Sequence, residues 1–353
     1  MVIIKTENNA FDMLEMMDRP GFFAENGVIT YVNTRGKQLL IPHGTAVSTL
    51  LHTGNTEYSN YSGGCLYLTL TIEETTYEAT VTKMGSYDLF LLENTPSSSE
   101  LKALSLAATH LRQPLADIML AAEGLIEQEA DTEQLSLLNR GLFRLLRTIS
   151  NMSDASEAMT RVPNLQTLEL CAEFEEVLEQ ASALIQSAGI HLEYTLPTAA
   201  IYGQADKAML SRAVYNLISN AAKYAPNGTN LNATLTRSGH LLYFSLSGYG
   251  DTATLPANPY TRFQREPGLE DIRNGIGLGL VLVKSFAVSH GGTVLMECRP
   301  DGNIRFTLTM EIRKNSDATV RTNLLRPDAY SGRNQGLIEL SDVLPKDLYN
   351  GKY

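Results

Sequence analysis

DKAMLSRAVYNLISNAAKYAP, residues 206–226, has the pattern of a helix whose Leu210, Ala213, Val214, Leu217 and Ile218 form a buried face. Asn216 and Asn220 lie four apart on one side of that helix, with Lys223 and Tyr224 just beyond. A buried amide left unsatisfied costs about 1–3 kcal/mol. Two of them on an apolar helix therefore call for neighbouring backbone or for a ligand. Mg²⁺ takes oxygen ligands and keeps phosphate oxygens in its shell, so an Asn carbonyl facing a triphosphate is one chemical solution. Further along, Asn274-Gly-Ile-Gly-Leu-Gly-Leu280 runs into a helix over 281–289, followed by His290-Gly-Gly. Alternate glycines let backbone N–H groups approach phosphate, and the N-terminus of the following helix favours negative charge. The spacing is neither the dinucleotide fingerprint nor a Walker loop.

Around these two elements the chain extends to 353 residues, a length that suggests two or three domains. The 39 acidic and 28 basic side chains give a net charge of -11, which argues against a nucleic-acid binder. Cys65, Cys171 and Cys298 are far apart, without metal-ligand spacing or a disulfide framework. No stretch reaches the ~18–20 apolar residues of a membrane span, and Glu7, Asp12 and Glu15 contradict a signal peptide. A cytoplasmic protein is expected.

Residues 1–95 read as a compact α/β module. A short helix over 9–17 precedes Gly21-Phe-Phe-Ala, the turn Glu25-Asn-Gly27 and the strand Val28 to Asn33, a hairpin signature. Further strands are expected at 66–72 and 77–82, around Glu73-Glu74, and at 89–92. This order, with the stretch PGFFAENGVITYVN, resembles a PAS domain. His43 and His52 read as loop residues rather than haem ligands. A linker at 94–100 then leads to 98–160, where Leu104, Ala108, Leu111, Leu115, Ile118, Ala122 and Leu125 recur at spacings of four and three. After an acidic break at 127–133, Leu135, Leu138, Leu142, Leu145, Ile149 and Met152 do the same. Two such helices make an antiparallel hairpin, which either packs within the chain or pairs with a second copy as a four-helix homodimer. Residues 165–313 alternate helices and strands, and the C-terminal tail, 314–353, contains Gly336-Leu-Ile-Glu-Leu-Ser-Asp-Val-Leu-Pro345, apolar enough to dock on the protein or a partner.

Together and in this order, the Asn-x-x-x-Asn-Ala-x-Lys-Tyr helix, Gly248-Tyr-Gly250, Tyr260-Thr-Arg-Phe-Gln-Arg265 and the GIGLGL helix resemble the N, G1, F and G2 boxes of sensor histidine kinases. Ala108-Thr-His-Leu-Arg-Gln-Pro-Leu115 resembles the family's H-box, His-Glu-Leu-Arg-Thr-Pro-Leu. The resemblance covers about residues 98–312. It implies a multidomain α/β protein: a PAS-like module, a dimeric hairpin, and an α/β sandwich ATP-binding domain of the histidine kinase and gyrase type. It also implies ATP and Mg²⁺ as cofactors and a response-regulator receiver domain as partner. By the same resemblance Asn220 binds Mg²⁺ with support from Asn216, and Lys223 and Tyr224 contact phosphate. Arg265 reaches the γ-phosphate, with Arg273 either a second phosphate ligand or a solvated charge. Gly275, Gly277, Leu278 and Gly279 form the phosphate cradle, and Gly248 and Gly250 the G1 turn.

Two positions depart from the family. Thr109 stands where the phosphoacceptor His is expected, and His110 stands in the slot of the acidic neighbour, leaving His110 the candidate phosphoacceptor in the hairpin. The adjacent carboxylate that would help as general base, worth typically 10²–10⁴-fold, is replaced by Leu111. Aligned on Gly248 and Gly250, Leu246 takes the place of the Asp that accepts from the adenine amino group, and Asp251 is on the wrong side of the glycines. A kinase and a non-catalytic pseudokinase that dimerises and binds a regulator or partner kinase are both compatible with this pattern. Either requires that the asparagine helix and the glycine run close around one cleft.

Overall fold

The computed structural model describes residues 3–92, 98–127, 132–158, 161–226, 228–250, 278–298, 302–313 and 334–350. The first module contains α1 (Ile3–Met16), β1 (Gly21–Glu25), β2 (Val28–Val32), α2 (Thr34–Gln38), α3 (Asn55–Ser59), β3 (Cys65–Ile72), β4 (Thr75–Met84) and β5 (Tyr87–Leu92). Asn26 and Gly27 both have positive φ, 51° and 76°, as the tight turn between β1 and β2 requires. Glu73 and Glu74 adopt the same hand at 45° and 66° between β3 and β4. The strands pair antiparallel in the order β2-β1-β5-β4-β3 around Phe22, Ile29, Leu68, Val81 and Phe90.

Two long helices follow, α4 (Ser98–Glu127) and α5 (Thr132–Glu157), packed on one another. α4 continues through Pro114, which has no N–H for the carbonyl four residues back. The apolar seams divide by heptad position. Ala108, Leu115 and Ala122 are buried, as are Leu135, Leu142 and Ile149, whereas Leu111, Ile118, Leu138 and Leu145 face out, 40–52% exposed. No helix among the described residues is long and apolar enough to cross a membrane.

The remaining elements are β6 (Gln166–Glu169), α6 (Leu170–Ile185), β7 (His191–Thr195), β8 (Tyr202–Ala205), α7 (Lys207–Tyr224), β9 (Asn230–Ser238), β10 (Leu241–Tyr249), α8 (Gly279–Ser289), β11 (Val294–Cys298), β12 (Asn303–Glu311) and α9 (Gln335–Glu339). α6, α7 and α8 pack against the sheet through a core that includes Phe174, Leu178, Leu210, Val214, Phe244, Val283 and Phe286. β6 and β8 form a separate two-stranded ladder, a pairing the sequence analysis does not anticipate.

The sequence analysis treats 1–95 and 165–313 as separate modules, yet their sheets are continuous. β3 pairs antiparallel with β11, Val294 opposite Tyr67 and Met296 opposite Cys65, giving ten strands in the order β2-β1-β5-β4-β3-β11-β12-β10-β9-β7. A sheet edge presents unpaired N–H and C=O groups, and each module covers the other's. Gly64, at φ 91°, makes the approach feasible, because a Cβ there would overlap the Met296 carbonyl. Beside the seam, Lys284 Nζ pairs with Glu78 at 2.8 Å and lies 4.4 Å over the Tyr67 ring, and Thr309 Oγ1 donates to Glu57 at 3.0 Å.

Candidate functional site

The start of α7 is held by Asp206. Its Oδ1 accepts from Met209 N at 3.0 Å as the helix cap, its Oδ2 accepts from Asn164 N at 2.9 Å, and its own N–H donates to His290 Nε2 at 3.1 Å. His290 is buried at the end of α8, and that burial pushes its imidazole down to about 4. One polar group thus ties the beginning of α7 to the end of α8.

The two helices lie against each other along their lengths. At the first residue of α8, a Cβ on Gly279 would sit 2.7 Å from Asn216 Oδ1. Glycine is required there, because α7 packs directly on the last glycine of the run through Asn216. Leu278, at the N-cap of α8, carries no side-chain acceptor for the first-turn amides. Asn216 is fully buried; its Nδ2 donates to the Arg212 carbonyl at 2.8 Å. Asn220 and Tyr224 are half-buried on the following turns.

At the C-terminal end of α7, Tyr224 joins Ala221, Leu231, Gly248, Tyr249, Ile304 and Phe306 around a small hollow. Gly248 and Gly250 are again places of close approach: a Cβ on the first would overlap Leu231 Cδ2, and one on the second would meet Ile304 Cδ1 at 2.7 Å. Leu246 is fully buried between Ala233 and Phe306 on the neighbouring strands. Of the expected phosphate residues, Arg265, Arg273, Gly275 and Gly277 lie outside the described residues, as do Tyr260-Thr-Arg-Phe-Gln and Asp251.

The hairpin residues Thr109 and His110 are both exposed on α4, with Thr109 Oγ1 donating to the Ser105 carbonyl at 2.8 Å.

Sequence reasoning misses the residues that actually touch the asparagine helix. Along α7, Arg212, Asn216, Ser219 and Lys223 line one stripe, and Arg147 of α5 and the segment 334–350 pack on it. Arg147 Nη2 donates to Asn216 Oδ1 at 3.2 Å, and Nη1 donates to Ser219 Oγ at 3.1 Å and to Asp342 Oδ2 at 2.7 Å. Lys223 Nζ pairs with the same Asp342 oxygen at 2.6 Å. Arg212 Nε donates to Glu339 Oε1 at 2.9 Å, Nη2 donates to Asn151 Oδ1 at 2.5 Å, and Nη1 pairs with Asp154. The second Glu339 oxygen faces Arg147 Nε at 3.5 Å, an ion pair without hydrogen-bond geometry. Burial pushes the Asp342 carboxyl up, but Arg147 and Lys223 outweigh it and hold the group below the usual carboxylate range. The only sequence signal was two acids inside an otherwise apolar run, Gly336 to Pro345.

Known proteins similar to this chain include one ATPase family and several sensor histidine kinases. Residues 205–314 match the family described as histidine kinase-, DNA gyrase B- and HSP90-like ATPase. Sensor histidine kinase CusS of Escherichia coli K12 is 28% identical over 212 residues, 58% of this chain and 44% of CusS. The sensor-like histidine kinase SenX3 of Mycobacterium bovis is 25% identical over 243 residues, 65% of this chain and 59% of SenX3. The chain therefore spans less than two thirds of the length of these relatives. Among solved structures, full-length ShkA in complex with AMPPNP is similar with a TM-score of 0.48 at 19% identity, over 59% of this chain and 45% of ShkA. Histidine kinase ThkA in complex with response regulator protein TrrA gives 0.42 at 14%, over 85% of this chain and 98% of ThkA. Residues 205–314 carry a histidine kinase-, gyrase B- and HSP90-like ATPase domain, and the chain is a homologue of the sensor histidine kinases.

Proposed function

We propose that the chain binds ATP with Mg²⁺ in the cleft between α7 and α8 and works as a cytoplasmic sensor histidine kinase-like protein. In this reading His110 is phosphorylated in a dimeric hairpin and the phosphate passes to a response-regulator receiver domain. The carrying observation is the contact of Gly279 with Asn216, by which the Asn216 amide oxygen lies beside the N-terminus of α8. Asn216 and Asn220 offer the neutral oxygens that Mg²⁺ accepts alongside phosphate, and the metal would offset triphosphate charge there. Lys223 and Tyr224 hold phosphate, as do the first amides of α8, with Arg265, Gly275 and Gly277 completing the cradle. Gly248 and Gly250 let the base approach the sheet. Leu111, Ile118, Leu138 and Leu145 support the homodimer, since one heptad position of each helix is buried within the chain and the other is left apolar and exposed. The strand order β2-β1-β5-β4-β3 supports a PAS-like sensor in front.

A second reading, a regulator-binding pseudokinase, is favoured by one observation: the buried Leu246 leaves the adenine amino group without its acceptor, a loss of about 1–3 kcal/mol or roughly 10–100-fold in affinity. Incubating the full chain with ATP labelled at the γ-phosphate separates the two. Acid-labile label that disappears in His110→Ala is the expected result. Nucleotide binding without label selects the pseudokinase, and no binding at millimolar ATP–Mg²⁺ overturns both.

A further inference from the structure

We infer that segment 334–350 is a built-in competitor of the nucleotide, its Asp342 and Glu339 carboxylates neutralising the cations of α5 and α7 that a polyphosphate would otherwise engage. The inference rests on the proposed nucleotide reading of Asn216 and Lys223 and adds a regulatory state to it.

Three observations carry it. Lys223, the phosphate residue of that reading, has its ammonium 2.6 Å from Asp342 Oδ2 and its side chain only 7% exposed, so it cannot reach a ligand while Asp342 stays. Asn216 Oδ1, a lone pair suited to Mg²⁺, accepts instead from the Arg147 guanidinium at 3.2 Å, and a metal ion cannot share that place with a second cation. The carboxylates themselves are delivered by a built structure. Leu337, Ile338, Leu340, Leu344 and Tyr349 are buried; Tyr349 Oη donates to the Leu337 carbonyl at 2.8 Å, and Asn139 Nδ2 donates to the Tyr349 carbonyl at 3.0 Å. Arg144 donates to the Ser341 and Asp342 carbonyls at 3.1 and 3.0 Å, fixing the backbone that aims Asp342. Arg147, Arg212 and Lys223 thus form a cluster of three cations that holds Glu339 and Asp342 of the segment together with Asp154 of α5. A magnesium triphosphate must displace Asp342 from Lys223 and move Arg147 off Asn216.

When a binding-competent state is only a fraction of the population, apparent affinity falls by that fraction. Weakening the segment's hold raises it. The test titrates ATP–Mg²⁺ into the full-length wild type and Asp342→Asn, and follows hydrogen exchange of the 334–350 amides in the wild type with and without nucleotide. The expected result is about tenfold tighter binding by Asp342→Asn, with 334–350 losing protection when the wild type binds. Equal affinity of the two proteins with 334–350 fully protected in the bound wild type overturns the inference and leaves the nucleotide reading intact. No binding by either folded protein overturns the nucleotide reading and the inference with it.

Discussion

The ATPase domain meets the rest of the chain along two seams of opposite construction. On one side β11 continues into β3 by backbone pairing, through Tyr67, Leu66 and Cys65 opposite Val294, Leu295 and Met296. On the other, Arg147, Arg212 and Lys223 meet Glu339 and Asp342 in a buried ionic network. A backbone seam has no partner to trade for another: breaking it exposes two sheet edges at once. A buried ion pair is close to break-even, because desolvation cancels much of its Coulomb gain, but removing one member strands the other. The first seam is therefore a fixed joint, and the second is the one a competing polyanion can exchange.

The comparison is broken most severely at Arg212. Arg212→Ala removes the guanidinium that bonds the fully buried Glu339, an expected loss of about 4 kcal/mol. Hydrogen exchange should locate the loosening in 334–350 while the β3 and β11 amides stay protected; loosening of both regions would show the seams to be one cooperative unit.

Next in size is a pH effect that belongs to neither seam. His290 titrates near 4 when folded and near 6.5 when unfolded. Its neutral burial is therefore fully stabilising above pH 6.5, and the contribution is lost as pH falls from 6.5 to 4, about 3 kcal/mol in all. Urea midpoints measured across that range should decline in the wild type and decline less in His290→Gln, with 334–350 and β11 affected alike.

The smallest effect is at Gly64. Gly64→Ala places a Cβ against the Met296 carbonyl at a positive φ, costing about 2 kcal/mol. Exchange should rise in β3 and β11 and not in 334–350, the mirror image of Arg212→Ala.

Much of the fold was legible because its cause is local. β3, Cys65–Ile72, covers the expected 66–72, Asn26-Gly27 forms the expected turn, and α7 begins at Lys207 with Asp206 as its cap. The contact of Asn216 with Gly279 was legible because a buried amide and a glycine ahead of an apolar helix are exceptions to their surroundings. β6 and β8, at four residues each, were too short to show a periodicity. Arg147 carried no signal, since an arginine on an amphipathic helix looks like any solvated charge until its partners are in place. The hairpin seams fall between these cases: the apolar spacing announced them, but which leucines would pack inside the chain depended on where α5 lies against α4.

The sequence by itself determined the order of elements, the asparagine face of α7 and the glycines that follow it, all of which follow from side-chain chemistry at short spacing. Only the tertiary structure decided that the first module joins the ATPase sheet and that Asp342 covers Lys223. Those contacts join residues between about 120 and 230 positions apart, as the Lys223–Asp342 and Cys65–Met296 pairs show. Their energy comes from edges and charges that find partners only once the chain has closed such long loops, and no local pattern records which partner that will be.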